Sequence, residues 1–184
     1  MSNYLSALAA AALLGGTAHA ETAQYTQAAG SSLGFTFTQE GAANNGAFKQ
    51  FMTTFAYDEK NLAASRLDVK VQIASLDTQD KDRDGTLSGP EFFDASKYPT
   101  ATFSASTLAK GANGIEAPGK LTIRGLSKDV RLPLTIKATA SGLELSGKVT
   151  IKRNDFGVGQ GEWKSTESVA DAVQITYKVV MTKG

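Results

Sequence analysis

Apolar and polar residues alternate along most of this chain. Leu33, Phe35 and Phe37 alternate with Gly34, Thr36 and Thr38, and Phe51, Phe55 and Tyr57 share one face of 51–57. Leu67, Val69, Val71 and Ile73 alternate with Asp68, Lys70 and Gln72, and Ala101, Phe103 and Ala105 follow the same rule. So do Leu121 and Ile123; Val130, Leu132, Leu134 and Ile136; Leu143, Leu145, Val149 and Ile151; and Val173, Ile175, Tyr177, Val179 and Met181. A period of two puts successive side chains on opposite sheet faces. The pattern therefore predicts about eight strands, each with one apolar and one polar face.

Turn residues at Gly111-Ala112-Asn113-Gly114, Gly125-Leu126-Ser127-Lys128 and Ser141-Gly142 predict hairpin links. Short links favour an antiparallel up-and-down meander. Eight one-sided strands can bury their apolar face as a sandwich or as a closed barrel without edges. Pro133 lacks an N–H and is expected at a bulge or weakly paired position. One segment breaks the alternation. Ser88 and Glu91 have capping-box spacing and Pro90 suits a first helical turn, which predicts a short helix over 89–97. The Gly-rich, polar stretch 153–168 reads as a long loop or distorted hairpin.

The first 20 residues change the picture of destination. Leu5 to Leu14 is nearly all Ala and Leu, and Ala18-His19-Ala20 is an A-x-A cleavage pattern. This reads as a secretory signal peptide cleaved after Ala20, with 21–184 as a single domain, periplasmic or secreted. The apolar run is too short to span a bilayer, so no integral membrane segment is expected after cleavage. The chain holds 19 Lys and Arg against 18 Asp and Glu. Near-neutrality gives no electrostatic basis for binding nucleic acid. There is no Cys, and the one His is His19. The mature chain thus excludes Cys–His and Ser–His catalysis, His- or Cys-built zinc sites, His-ligated haem and disulfide staples.

Three local features are candidate chemistry. Asp80, Asp82, Asp84 and Gly85, followed by Glu91, match the ligand spacing of a calcium loop. Against this, a strand rather than a helix precedes the loop, and Lys81 and Arg83 offset its charge, so a solvated charged loop is the plainer reading. Gly157-Val158-Gly159-Gln160-Gly161 has no strand–helix unit around it and reads as a loop that admits a close neighbour. Arg153 and Asp171 have inward parity. An inward Arg needs a partner. That partner is either a carboxylate, Asp155 or Asp171, or the polar head of a ligand, for which Arg124 is a second candidate. The apolar face, rich in Phe, has two readings that periodicity alone does not separate: a filled core or a ligand cavity.

Phe48 and the aromatic strand 51–57, Ser75-Leu76-Asp77-Thr78, Arg83-Asp84 with Leu87, and Phe92-Phe93-Asp94-Ala95-Ser96-Lys97-Tyr98-Pro99 occur in that order. Phe103, Gly119-Lys120-Leu121-Thr122-Ile123-Arg124-Gly125 and Arg153-Asn154-Asp155-Phe156-Gly157-Val158-Gly159 follow. Across 21–184 this series resembles the YceI-like family. The resemblance implies an all-β, eight-stranded antiparallel lipocalin-like barrel, exported to the periplasm and similar to polyisoprenoid-binding proteins. It implies a bound isoprenoid-like or other amphiphilic lipid, no required cofactor and no catalytic group. It leaves open whether two barrels form a homodimer. The family's R-D-x-x-L segment accounts for Arg83, Asp84 and Leu87, which weakens the case for Ca²⁺.

The expected ligand contacts are then the inward positions. On the strands these are Phe35, Phe37, Phe51, Phe55, Val69, Val71, Ile73, Phe103, Leu121, Ile123, Leu132, Leu134, Val149, Ile151, Val173, Ile175 and Tyr177. In the irregular segments they are Phe92, Phe93, Tyr98, Phe156 and Trp163, with Arg124 and Arg153 for a head group. Two alternatives stand beside lipid carriage. One is a Ca²⁺-responsive module at 80–91. The other is a small lipid-modifying enzyme using Arg153 with Asp155 or Asp171.

Overall fold

The computed structural model describes residues 22–184; the expected signal peptide, 1–20, lies outside the described residues. Eight antiparallel strands follow one another around a closed barrel. Three of them are interrupted. β1 comprises Ala23–Gln27 and Ser32–Gln39, β2 Ala42–Phe48 and Phe51–Tyr57, and β3 Arg66–Gln72 and Leu76–Asp77. The others are β4 (Thr100–Ala105), β5 (Gly114–Ile123), β6 (Leu126–Thr139), β7 (Gly142–Lys152) and β8 (Val169–Lys183). Each pairs with the next in sequence. β8 returns to β1 through Tyr25↔Lys183 and Ile175↔Phe35, which completes the ring. A three-residue strand, Ala109–Gly111, extends the β5 end. The barrel alternative is the one realised, and the sheet closes on itself between β8 and β1.

The hairpins explain where the strands reverse. Glu40 and Gly41 have φ of 49° and 75°, and Arg124 and Gly125 have 50° and 72°. Two consecutive residues at positive φ make the tight turn whose twist matches antiparallel strands. The link expected at 125–128 is therefore a turn at Arg124–Gly125, and Leu126 already belongs to β6. Pro133 sits within β6 opposite Glu116 of β5. On its other side, registered pairing with β7 stops at Thr135↔Ser146, two residues short of it. The missing N–H therefore falls where no ladder requires it.

The helix is displaced from its expected position. It spans Lys81–Ser88, not 89–97. Asp80 is the N-cap; its Oδ1 accepts from the Asp82 and Arg83 N–H groups, both at 3.1 Å. Asp82 and Asp84 add negative charge in the first turn, where the helix dipole favours it. Pro90 disfavours helical backbone at Gly89, which is extended at φ −71° and ψ 173°. Pro90, which suits a helix start, thus ends the helix instead, and 89–99 continues as hydrogen-bonded turns. Among the described residues no helix is long and apolar enough to cross a membrane.

Two buried clusters divide the barrel along its axis. At one end, Phe55, Leu67, Ala105, Leu108, Ala117, Leu143, Leu145 and Met181 pack together, with Tyr25, Tyr57 and Leu62 against them. At the other, Phe92, Phe156 and Val158 from the irregular segments lie over Val71, Ile73, Ala101 and Ile123. The first end is filled; the second carries the segments that cover the mouth.

A two-chambered apolar cavity

Between the filled end and the covered mouth the strands enclose a cavity. About 160 Å³ is open to the centre of a water molecule, within about 1130 Å³ of atom-free space that includes the mouth. The wall is hydrocarbon and aromatic; Thr53, Thr102 and Tyr177 alone contribute side-chain oxygen. Of the expected contacts, Phe35, Phe51, Val69, Val71, Ile73, Phe93, Phe103, Leu121, Ile123, Leu132, Leu134, Val149, Ile151, Val173, Ile175 and Tyr177 lie on this wall. They meet because alternation on every strand aims the same parity at the axis.

A second chamber of about 300 Å³, on the same measure, lies under the helix and the 153–168 loop. Phe37, Phe92, Arg153 and Trp163 line it, together with Gln39, Asp80, Arg83, Thr86 and Leu87. Phe35, Phe93 and Val173 face both chambers. The neck is aromatic: the Phe35 ring centroid is 5.4 Å from Phe48, and Phe48 meets Phe93 edge-on at 5.8 Å. Phe92 and Trp163 contact at 5.5 Å across the outer chamber. Offset and edge-on packing favours such rings over a parallel sandwich.

Four expected contacts lie on neither wall. Phe55 is 1 % exposed and packs in the filled end. Phe156 is buried beneath the mouth loop. Tyr98 and Arg124 form an outer clamp. The Arg124 guanidinium lies 5.7 Å from the Tyr98 ring centroid, and its Nη1 donates to the Pro90 and Phe92 carbonyls. Arg124 therefore fastens the 90–98 segment to the barrel and faces no cavity.

Arg153 points inward as its parity requires, but its partners are not those expected. Nε donates to the Ala170 carbonyl at 3.1 Å, and Nη2 to Ser165 and Val169 carbonyls, both at 2.8 Å. Nη1 donates to the Val158 carbonyl at 3.0 Å and to Asn154 Oδ1 at 3.3 Å. All five guanidinium donors have acceptors. Burial pushes its pKa down from the usual range, and the charge of Asp171 acts in the opposite direction. Asp171 itself accepts from the Asn154 N–H at 3.0 Å. The 157–161 loop wraps this cation closely. Gly159, at φ +92°, lies so near that a Cβ there would sit 2.1 Å from Nη1. Neither a head group nor a catalytic step finds an unengaged donor on Arg153.

The calcium-loop candidates Asp80 and Asp84 have other roles in the structure. Residues 81–88 are helical, so the carboxylates do not converge on a loop centre. Asp80 caps the helix and pairs with Arg83 at 3.3 Å, and Asp84 Oδ1 accepts from the N–H and hydroxyl of Thr78. Among the described residues no group of three or more His, Cys, Asp or Glu could hold a metal.

Several wall residues escaped the sequence reading. Leu33, Val130, Leu145 and Val179 had the right parity and were counted in strands, but were not singled out as contacts. Phe48 was visible only as part of the family resemblance. Thr53 breaks the apolar alternation and gave no signal at all.

Residues 25–181 match the family model described as the YceI-like domain. The protein YceI of Escherichia coli O17:K52:H18 is 34 % identical over 121 residues, which cover 61 % of this chain and 62 % of that protein's length. The crystal structure of Burkholderia cenocepacia BcnA is 36 % identical, with a TM-score of 0.77 over 81 % of this chain and 94 % of that one. A polyisoprenoid-binding domain from Saccharophagus degradans, at 15 % identity, shares the fold alone, with a TM-score of 0.70 over 89 % of this chain and all of the other. By fold and by sequence, this chain belongs to the YceI-like family.

Proposed function

We propose that this protein is a periplasmic carrier that encloses the chain of an isoprenoid-like or other amphiphilic lipid, and that it is not an enzyme. The observation that carries the reading is the wall of the inner chamber, which is apolar along its length and has no Asp, Glu, Lys, Arg or His among its lining residues. Such a wall offers a hydrocarbon chain the full gain of leaving water, about 0.8 kcal/mol for each buried CH₂. It offers no acid, base or nucleophile for bond breaking. The structural neighbour described as polyisoprenoid-binding, which shares the fold, is consistent with a lipid of that class. The A-x-A pattern ending at Ala20 supports export.

Native mass spectrometry of protein purified from its own periplasm is the direct test. The expected result is a co-purifying apolar mass that organic solvent extracts, on a polypeptide beginning at Glu21. A polypeptide that carries no lipid and takes up no prenyl probe would overturn the carrier reading.

A further inference from the structure

Both arginines expected to hold a ligand's polar end are engaged with protein. A third, Arg83, is engaged only in part. It lines the outer chamber from the helix, and its side chain is 26 % exposed. Nε donates to Thr78 Oγ1 at 3.2 Å, Nη1 to Asn44 Oδ1 at 2.6 Å and Nη2 to Asp80 Oδ2 at 3.3 Å. A guanidinium carries five N–H groups. One on Nη1 and one on Nη2 therefore have no acceptor among the described residues. The three bonds that are made tie the guanidinium to the helix cap and to the β2 segment Ala42–Phe48, which fixes the direction of the donors that remain. Gln39 of β1 lines the same chamber, and its amide makes no side-chain hydrogen bond to another described residue.

The two chambers meet at Phe35, Phe93 and Val173, so one molecule can occupy both. A polar head in the inner chamber would lose its bonds to water with nothing in return. In the outer chamber Arg83 and the Gln39 amide replace them, and what Arg83 lacks is an acceptor. The charged side chains on that wall are Asp80, Arg83 and Arg153, two cations against one carboxylate. Asp80 is already spent on the helix N-terminus and on Arg83. An ammonium head would thus meet an excess of its own charge. A carboxylate or phosphate would instead gain charge-assisted bonds from a guanidinium whose fork matches its oxygens. We infer that the outer chamber is an anion site for the ligand's head, with Arg83 as its donor and Gln39 beside it, and that the chain lies tail inward. This rests on the carrier reading and assigns the chemistry and direction of the head.

The test is displacement of N-phenyl-1-naphthylamine by four compounds with one tail: farnesyl monophosphate, farnesoic acid, farnesol and farnesylamine. Trp163 is the one Trp of the chain and lines the outer chamber, so its emission reports on a head that arrives there. The wild type should bind the phosphate or the carboxylate more tightly than the amine, and Trp163 emission should shift as it binds. The tighter of the two anions names the head. Arg83→Gln should lower the ratio of anion to farnesol affinity about tenfold, the scale of one hydrogen bond to a charged group. Comparing that ratio between proteins cancels the different solubilities of the probes. Arg83→Gln also cuts contacts within the mouth, whereas Gln39→Leu leaves them in place and should lower the same ratio roughly threefold. Equal binding of anion and amine, an unchanged ratio in both variants, or a silent Trp163 would each refute the anion site and leave the carrier reading standing. If no farnesyl compound displaces the dye, the carrier reading itself fails.

Discussion

The two halves of this barrel are walled by the same strands with the same alternation, yet one is packed solid and the other is hollow. In the filled half the inward residues include Tyr25, Phe55, Tyr57 and Met181, long side chains that reach the axis. In the hollow half the β-branched Val69, Val71, Val149, Ile151, Val173 and Ile175 line the wall beside the rings of Phe35, Phe51, Phe93 and Phe103. An eight-stranded ring is just wide enough for its side chains to fill. Both halves are apolar inside, so polarity does not decide which of them fills.

Equivalent substitutions should act differently in the two halves. The largest expected effect is Phe55→Ala, which opens a void in the filled end and should cost about 3–5 kcal/mol by urea denaturation. A loss under about 1 kcal/mol would mean that this end is not a core. Next is Arg153→Met, which leaves buried carbonyls without donors and should cost about 3 kcal/mol. Limited proteolysis should then cut within 157–168. Unchanged stability and protection would show that the guanidinium does not hold the mouth.

Tyr177 lies where the halves meet, and its hydroxyl donates to the Pro133 carbonyl. Tyr177→Phe should cost about 1 kcal/mol. Burial raises the pKa of this phenol above its ordinary value of 10.0. The folded state therefore favours the protonated form, and the stability it lends is complete below pH 10.0 and declines as pH rises above that value. The wild type should thus lose stability above that pH more steeply than Tyr177→Phe; parallel curves would contradict the burial of this hydroxyl. The smallest effect on stability belongs to Val71→Phe in the hollow half. A larger side chain in a filled core costs about 1–3 kcal/mol; here it should enter vacant space for under about 1 kcal/mol. The same variant should take up less prenyl probe. A heavy stability loss with unaltered uptake would remove the distinction between the halves.

The strands were legible because period two follows from backbone geometry and survives any detail of packing. The segments that alternation passed over, Ala23–Gln27 and Ala42–Phe48, are short of large apolar residues. They are held instead by their neighbours in the ring. In the second of them, Gly46 is required: a Cβ there would come within 2.3 Å of the Phe35 ring. The inward direction of Arg153 was legible from parity. Its partners were not, because they are backbone carbonyls of a loop whose path no residue type announces. The helix was misplaced because Pro90 suits both a first turn and a stop, and Asp80 decides between them. Thr53 was invisible for a simpler cause: apolar parity passes over a polar residue on the cavity wall.

β6 runs from Leu126 to Thr139 and β7 from Gly142 to Lys152, but their registered rungs end at Thr135↔Ser146. Along the remaining length, beside the hollow half, the tube has a seam. A ladder resists stretching because each rung must break; a seam resists only through side-chain contact. The calibre of the bore on that side is therefore held by side-chain contact and not by rungs between β6 and β7.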